Sequence, residues 1–258
     1  MAASNISSTI DWCEENYVVS IRIAEFWNTV SSVEMLAWSM LGLAMAMRRQ
    51  YEPCAVRQFL GLTGVAVGTI AFHGTLTYTG QMVDELSMMA TTLNWLHGLL
   101  QVVKRSEGQE LSSVATAVLA VWTVVFSLLH ATFGFTDVFQ IHFILCVAWG
   151  IYMLVLLRGR VLLQTPQRRL IYLYMLSLIL GTVCWQADIQ LCGWMQSLPL
   201  NPQLHAWWHL LMGFHCYVGG MLMQCAAQAA KAKVEARPEQ PVHYWMSVVP
   251  HCGRLLPA

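Results

Sequence analysis

The residues that could perform chemistry in this chain are three histidines, an aspartate and a threonine. His205 and His209 lie four residues apart in the segment HAWWH, and Thr69 and His73 have the same spacing. On a helix, this spacing places both members of each pair on one face. Three neutral imidazoles can hold a tetrahedral zinc ion with a fourth position open for water, as in hydrolytic zinc sites. Asp84 could then act as general base and acid, or orient a ligand histidine, and Thr69 could bind an oxyanion.

Each of these residues also has a simpler interpretation when it is considered alone. A histidine in an apolar helix can hydrogen-bond a neighbouring helix, a threonine can bond its own backbone, and an aspartate is tolerated near a membrane surface. The joint pattern of two i, i+4 pairs and an aspartate favours a metal site. We predict structural or interfacial roles for the histidines that lack such a pattern, namely His97, His130, His142 and His215.

The elements that position these residues must be membrane helices. The chain has 258 residues, of which 57% are hydrophobic and 11% are charged, and its mean hydropathy is +0.52. A bilayer core requires about 20 apolar residues for each helical span. The sequence therefore predicts an all-α integral membrane protein with seven transmembrane helices, at about 30–47, 56–78, 81–103, 112–133, 137–157, 169–187 and 204–229.

The basic residues predict the orientation of these helices. All but one of the 14 Lys and Arg residues lie in the first, third and fifth connections or in the C-terminal tail, and Arg22 is the exception. Because basic connections face the cytosol, the N-terminus is predicted to be lumenal or extracellular and the C-terminus cytosolic. This gives a lumenal segment at 1–29, a seven-helix domain at 30–229 and a cytosolic tail at 230–258. The two histidine pairs and Asp84 then share the lumenal side of the bilayer.

A second cluster of polar residues lies near the N-terminus. Asp11, Glu14, Glu15 and Asn16 in the segment DWCEENY, together with Glu25, supply the oxygen ligands that calcium prefers. The loop spacing and the glycine of an EF-hand are absent. An acidic stretch of this kind is more often a solvated face or a helix cap, so the spacing alone does not establish a calcium site.

Several segments, taken together, resemble the alkaline ceramidase family. These are DWCEENYVVS, IAEFWNTVSS, FHGTLTY, QMVDELSMM and HAWWH, and the resemblance extends from residue 11 to about residue 220. The family consists of seven-helix membrane amidases that cleave ceramides to a sphingoid base and a fatty acid. The resemblance implies that His73, His205 and His209 bind zinc and that Asp84 belongs to the catalytic site. The calcium ligands that it implies are Asp11, the backbone of Trp12, Glu14, Asn16 and Glu25, without Glu15.

The resemblance also bears on the cysteines and marks two departures. It implies a disulfide between Cys13 and Cys192, which are both predicted to face an oxidising compartment. The remaining cysteines are predicted to be buried or cytosolic thiols: Cys54, Cys146, Cys184, Cys216, Cys225 and Cys252. Thr69 replaces the serine of the family, which keeps the hydroxyl but adds a methyl group beside the scissile carbonyl. Glu34, in the first predicted helix, interrupts an otherwise apolar run.

The resemblance implies a zinc-dependent intramembrane hydrolase that takes ceramide from the bilayer, with a structural or regulatory calcium site. Membrane lipids are the expected partners, and no nucleic-acid partner is expected. The expected location is the endoplasmic reticulum or Golgi membrane, with the plasma membrane as an alternative. A rival prediction is a zinc-containing lipid or hormone receptor resembling the adiponectin and progestin receptors, whose opposite orientation the basic residues disfavour. A seven-helix protein without hydrolysis is a third, and it predicts no metal.

Overall fold

A computed structural model describes residues 7–161, 165–236, 238, 242–245 and 249–252. The predicted N-terminal segment and tail therefore lie partly outside the described residues. Within these residues, seven long helices and one short helix form the body of the structure, and a small hairpin follows them. Their bounds are α1 Phe26–Arg49, α2 Pro53–Thr75, α3 Tyr78–Ser106, α4 Ser113–Phe133, α5 Thr136–Arg160, α6 Thr165–Gln190, α7 Cys192–Gln196, α8 Leu204–Glu235, β1 Val242–Trp245 and β2 Val249–Cys252.

The length and apolar composition of the long helices indicate an integral membrane protein. Within the described residues, six of them are long and apolar enough to cross a bilayer. The exception is α3, which has 29 residues but a more polar composition. This helix packs against α2, α4, α5 and α8, and its polar side chains Gln81, Asp84, Glu85 and Ser106 are buried among them. A seventh span through α3 stays a prediction.

Helices α2 and α3 approach each other closely at Gly68. A Cβ atom added to Gly68 would lie 2.7 Å from Cα and 2.9 Å from the backbone nitrogen of Asp84. Only glycine leaves room for this backbone contact. The contact positions the first turns of α3 against the last two turns of α2, which carry Thr69 and His73.

Helices α4, α5 and α6 form the apolar exterior. Helix α4 packs mainly on α3 and buries only Phe126 and His130. Its other large apolar side chains point outward, as expected of a helix surrounded by lipid. In contrast, α8 is mostly buried between α1, α2, α3 and α6.

The N-terminal segment lies across the end of α2. The backbone N–H groups of Ala24 and Glu25 donate to the carbonyls of Gly74 (3.1 Å) and His73 (3.0 Å). The structure contains the predicted disulfide between Cys13 and Cys192, which joins this segment to the start of α7. Two connections therefore fix the segment over one end of the helices.

The tail departs from the sequence predictions in two ways. Strands β1 and β2 form an antiparallel hairpin, so the tail is not wholly irregular and the chain is not strictly all-α. The prediction of free thiols at Cys225 and Cys252 is wrong, because these residues form a second disulfide. The hairpin also accepts a hydrogen bond from the Tyr217 hydroxyl at the carbonyl of Pro250 (2.8 Å), which fastens it to α8. Residues 27 positions apart in sequence meet here through the fold, and no local pattern indicates that they do.

Candidate metal centre

Three buried histidines from two helices meet at one point. His73 comes from the end of α2, and His205 and His209 come from the first turns of α8. One ring nitrogen from each of the three histidines lies within 4.8 Å of those of the other two. Within the described residues, no other set of three or more His, Cys, Asp or Glu side chains lies so close. The i, i+4 spacing of His205 and His209 therefore does place both imidazoles on the face that meets α2.

Hydrogen bonds at Nδ1 orient two of these imidazoles. Nδ1 of His209 lies 3.0 Å from the carbonyl oxygen of Asn28, which can only accept, so Nδ1 carries the proton. The hydroxyl of Ser31 lies 3.0 Å from the same nitrogen. Nε2 of His209 therefore keeps its lone pair, as a metal-binding histidine requires. Nδ1 of His73 contacts the carboxyl group of Glu25, and Nε2 of His73 keeps its lone pair when Glu25 is ionised.

His205 has a different environment. Its ring stacks on the indole of Trp12, with 3.8 Å between the centroids, and its Nδ1 is buried without a hydrogen-bond partner. A buried imidazole nitrogen without a partner is costly, and a metal ion would offset this cost. The side chains present therefore fit a zinc ion.

Asp188 holds the segments that carry His205 and Trp12, and the sequence analysis missed it. Its Oδ1 accepts from the backbone N–H of His205, and its Oδ2 accepts from the backbone N–H of Cys13, both at 3.2 Å. An aspartate near the end of an apolar helix is the signal that could have identified it.

Thr69 and Asp84 are brought together beside the histidines. The Thr69 hydroxyl lies 2.6 Å from Oδ1 of Asp84 and 2.8 Å from the carbonyl oxygen of Val65. Thr69 therefore bonds to its own helix, as its simple interpretation predicts, and it also bonds to Asp84. Both residues line one cavity with all three histidines, and the rest of its wall is largely apolar, including Met35, Val65, Phe72, Met88, Phe139, Phe143, Trp185, Trp208 and Met212.

The predicted calcium residues lie close together but do not all face one point. Asp11 accepts two hydrogen bonds from the Asn16 amide, at 3.0 and 3.2 Å. Glu14 instead accepts from the backbone N–H groups of Trp27 (2.7 Å) and Asn28 (2.9 Å), and so caps the start of α1. The helix-cap interpretation therefore applies to Glu14, and the calcium site stays a prediction.

Glu25 connects the acidic cluster with the histidines. One of its oxygens accepts from the backbone N–H of Trp12 at 3.1 Å, and the other contacts His73 and the Asn28 amide. Burial, together with a smaller effect of the nearby Asp11, raises the pKa of Glu25 to about 8. The Asn16 amide oxygen is buried without a partner. Adjacent carboxylates and an unpartnered oxygen fit a hard cation such as calcium.

Most of the other histidines have structural contacts, as predicted. Nδ1 of His215 donates to the carbonyl of Tyr174 at 3.0 Å. His97 contacts the Thr116 hydroxyl at 3.2 Å, and Nε2 of His142 accepts from the indole of Trp122 at 2.9 Å. Glu34 contacts the indole nitrogen of Trp38 on its own helix.

Comparisons with known proteins identify the family of this chain. A family model described as ceramidase matches residues 4–253. The chain is 29% identical over 251 residues to the alkaline ceramidase of Arabidopsis thaliana, covering 95% of this chain and 92% of the relative. It is 30% identical over 224 residues to alkaline ceramidase 3 of Mus musculus, covering 82% and 81%. It is 26% identical over 252 residues to alkaline ceramidase 1 of the same species, covering 93% and 86%. The chain therefore belongs to the alkaline ceramidase family.

Proposed function

We propose that this protein is a zinc-dependent intramembrane hydrolase that cleaves the amide bond of ceramides. The observation that carries the proposal is the convergence of three buried imidazoles, Asp84 and Thr69 on one largely apolar cavity. Membership of a family of ceramide amide hydrolases gives the substrate class. The comparisons do not favour the receptor alternative.

His73, His205 and His209 would hold the zinc ion. When bound, zinc supplies a Lewis acid for the amide carbonyl and lowers the pKa of water towards about 7. The contacts of His73 with Glu25 and of His209 with Asn28 orient the two imidazoles for this role. The apolar wall accommodates the two hydrocarbon chains of the lipid and excludes water from the reacting atoms.

Asp84 moves the proton in this proposal. It takes a proton from the attacking water and returns it to the departing sphingoid amine. The Thr69 hydroxyl can follow this change, because it carries a single proton and lies beside two acceptors. It donates to the ionised Asp84, and it turns to the Val65 carbonyl when Asp84 is protonated and becomes the donor. Thr69 therefore positions Asp84, which differs from the oxyanion-binding role expected from the sequence.

Calcium would act as a structural ion in the N-terminal segment. Asp11, Glu14, Asn16, Glu25 and the backbone of Trp12 remain the proposed ligands, although Glu14 would have to share its oxygens with the start of α1. The ion would offset the cost of burying Glu25 and hold Trp12 against His205.

The experiment that tests the hydrolase is fatty-acid release from a panel of ceramides by purified protein, with metal content measured on the same samples. His209→Ala is expected to lose both zinc and turnover, whereas wild type holds about one zinc per chain. His97→Ala is the matched control, because His97 lies outside the cavity wall and should retain both. Bound zinc without turnover of any ceramide would favour the receptor alternative. Wild-type protein without zinc would contradict the proposed zinc-dependent hydrolysis.

A further inference from the structure

A second carboxylate lines the cavity beside Asp84, and the mechanism above does not use it. Glu85 is the next residue on α3 and is only 4% exposed. Its Oε2 lies 2.5 Å from Nε2 of His130, which is fully buried on α4. Its Oε1 accepts from the amide of Gln81 at 3.0 Å. Among the described residues that line this cavity, Asp84 and Glu85 are the acidic ones.

The contact between Glu85 and His130 lies at an unusual place in the molecule. Helix α4 is largely apolar and mostly exposed, and of the two residues that it buries, Phe126 and His130, His130 is the polar one. Ionisable groups at such a depth are costly and are usually retained for a function. The carboxylate has about four lone-pair sites, of which Gln81 and His130 occupy two. Glu85 can therefore accept a further hydrogen bond from a group in the cavity.

The substrate supplies hydrogen-bond donors close to its amide. A ceramide carries two hydroxyls on the carbons next to the one that bears the amide nitrogen. An amide that lies beside Asp84 therefore brings both hydroxyls into the cavity that Glu85 also lines. The cavity wall is largely apolar, and apart from its acidic residues, its histidines and Thr69, the hydroxyl and amide side chains that line it are, among the described residues, those of Thr91, Thr92 and Gln140. A buried hydroxyl without a partner is costly, so an acceptor is needed here.

We propose that Glu85 is a specificity-determining residue that accepts a hydrogen bond from a sphingoid hydroxyl of the substrate. His130 is a positioning residue, because it contacts Glu85 and stacks on the cavity-lining Phe139, with 5.0 Å between ring centroids. The proposal rests on the proposed function for the identity of the lipid. It predicts selection for the sphingoid headgroup, separate from selection for chain length.

The test compares ceramide with two analogues, one lacking the C1 hydroxyl and one lacking the C3 hydroxyl. Wild type is expected to prefer ceramide over one analogue by about 10-fold or more in kcat/KM, the effect of a hydrogen bond to a charged group. Glu85→Gln should reduce this preference several-fold, and His130→Asn should reduce it less. His142→Ala is the control, because His142 also contacts α4 but lies outside the cavity wall, and it should keep the wild-type preference.

The preference ratio separates recognition from a purely structural pair. If Glu85 and His130 only attach α4 to α3, the variants would lower Tm and leave the ratio unchanged, which would overturn the proposal. Equal use of all three lipids by wild type would also overturn it. Dissociation constants for the same lipids are measured in parallel. Absence of hydrolysis would contradict the proposed function. The ratio of the dissociation constants would still test whether Glu85 recognises the hydroxyl.

Discussion

At the scale of single residues, the hydroxyl of Thr69 is the clearest case of a contact with a chemical consequence. The family resemblance implies a serine at this position, and the structure gives the threonine hydroxyl the same two neighbours that a serine hydroxyl could reach, Asp84 and Val65. The added methyl group belongs to a side chain that is buried in the wall of the cavity. The hydroxyl and the methyl group can therefore be tested separately.

Substitution of Thr69 by valine keeps the shape of the side chain and removes the hydroxyl. We expect Thr69→Val to lower kcat by about 10- to 100-fold, because Asp84 loses the partner that positions it for proton transfer. Thr69→Ser should stay within about threefold of wild type, since the hydroxyl remains. Steady-state kinetics on ceramide, with zinc content measured on each variant, checks both. Equal kcat for the valine variant and wild type would show that Thr69 only packs.

The sequence predicts which histidines lie close together because their spacing is local to short motifs. The spacing of His205 and His209, and of Thr69 and His73, determines which side chains share a helix face. Asp188 and Glu85 were not identified, because their roles depend on contacts with other elements. The same is true of the two cysteines paired across α8 and β2.

At the scale of elements, the contact between α2 and α3 determines whether Thr69 meets Asp84. Gly68→Ala places a methyl group 2.7 Å from Cα of Asp84, so the two helices must separate. We expect Tm to fall by about 5 °C or more and activity to fall with it, because overpacking at a backbone contact costs about 1–3 kcal/mol. Thermal unfolding and ceramide hydrolysis measure the two effects.

Gly64 on the same helix provides the matched control. A Cβ atom there would meet the Ser87 hydroxyl at 3.7 Å, an ordinary contact. Gly64→Ala should therefore be neutral or slightly stabilising, because alanine is favoured over glycine in a helix interior. Similar losses for both alanine variants would mean that α2 tolerates no added side chain and that the contact with Asp84 has no special importance.

The N-terminal segment is the element that calcium would hold. Removal of calcium by chelation is expected to lower Tm by several degrees, and Asp11→Asn should abolish the response. The increase in Tm that calcium produces should grow from about pH 6 to about pH 9, because the raised pKa of Glu25 makes protons compete with the cation at the lower pH. Glu15→Gln is the control, since Glu15 is exposed and is not a proposed ligand. An unchanged response in Asp11→Asn would exclude this residue as a ligand.

The sequence analysis placed the long helices correctly to within a few residues, because apolar runs of this length have few alternatives. The apolar pattern does not account for the polar composition of α3. Four other helices pack against α3 and cover part of its polar surface. The sequence analysis also overlooked the tail hairpin, whose strands pair over a short range and depend on α8 for their contacts. The pattern of a single sequence does not show that α8 provides contacts for these strands.

At the scale of the whole molecule, charge separates the two ends of the helix bundle. Arg105 and Lys231 both pair with Glu52, which places the ends of α3 and α8 beside the first connection. Arg160 at the end of α5 pairs with Glu107 at the same end. The candidate metal centre lies at the opposite ends of α2 and α8. The structure thus gathers basic residues away from the site, and the orientation of the helices in the membrane stays a prediction.

Protease protection in sealed microsomes tests this orientation. A tag on the C-terminus is expected to be digested without detergent, and a tag on the N-terminus should be digested only after detergent is added. Digestion of the N-terminal tag in intact microsomes would reverse the topology. The disulfide between Cys13 and Cys192 would then lie in a reducing compartment, and the orientation of the adiponectin and progestin receptors would apply.

The contact between Glu25 and His73 has a thermodynamic consequence. One side chain belongs to both candidate metal sites, so its protonation and position cannot change at one site without effect at the other. Binding at two such sites is reciprocal: if calcium increases the affinity for zinc by some factor, zinc increases the affinity for calcium by the same factor. Depletion of either ion would then weaken retention of the other, and the concentration of lumenal calcium would determine how much of the enzyme holds its zinc.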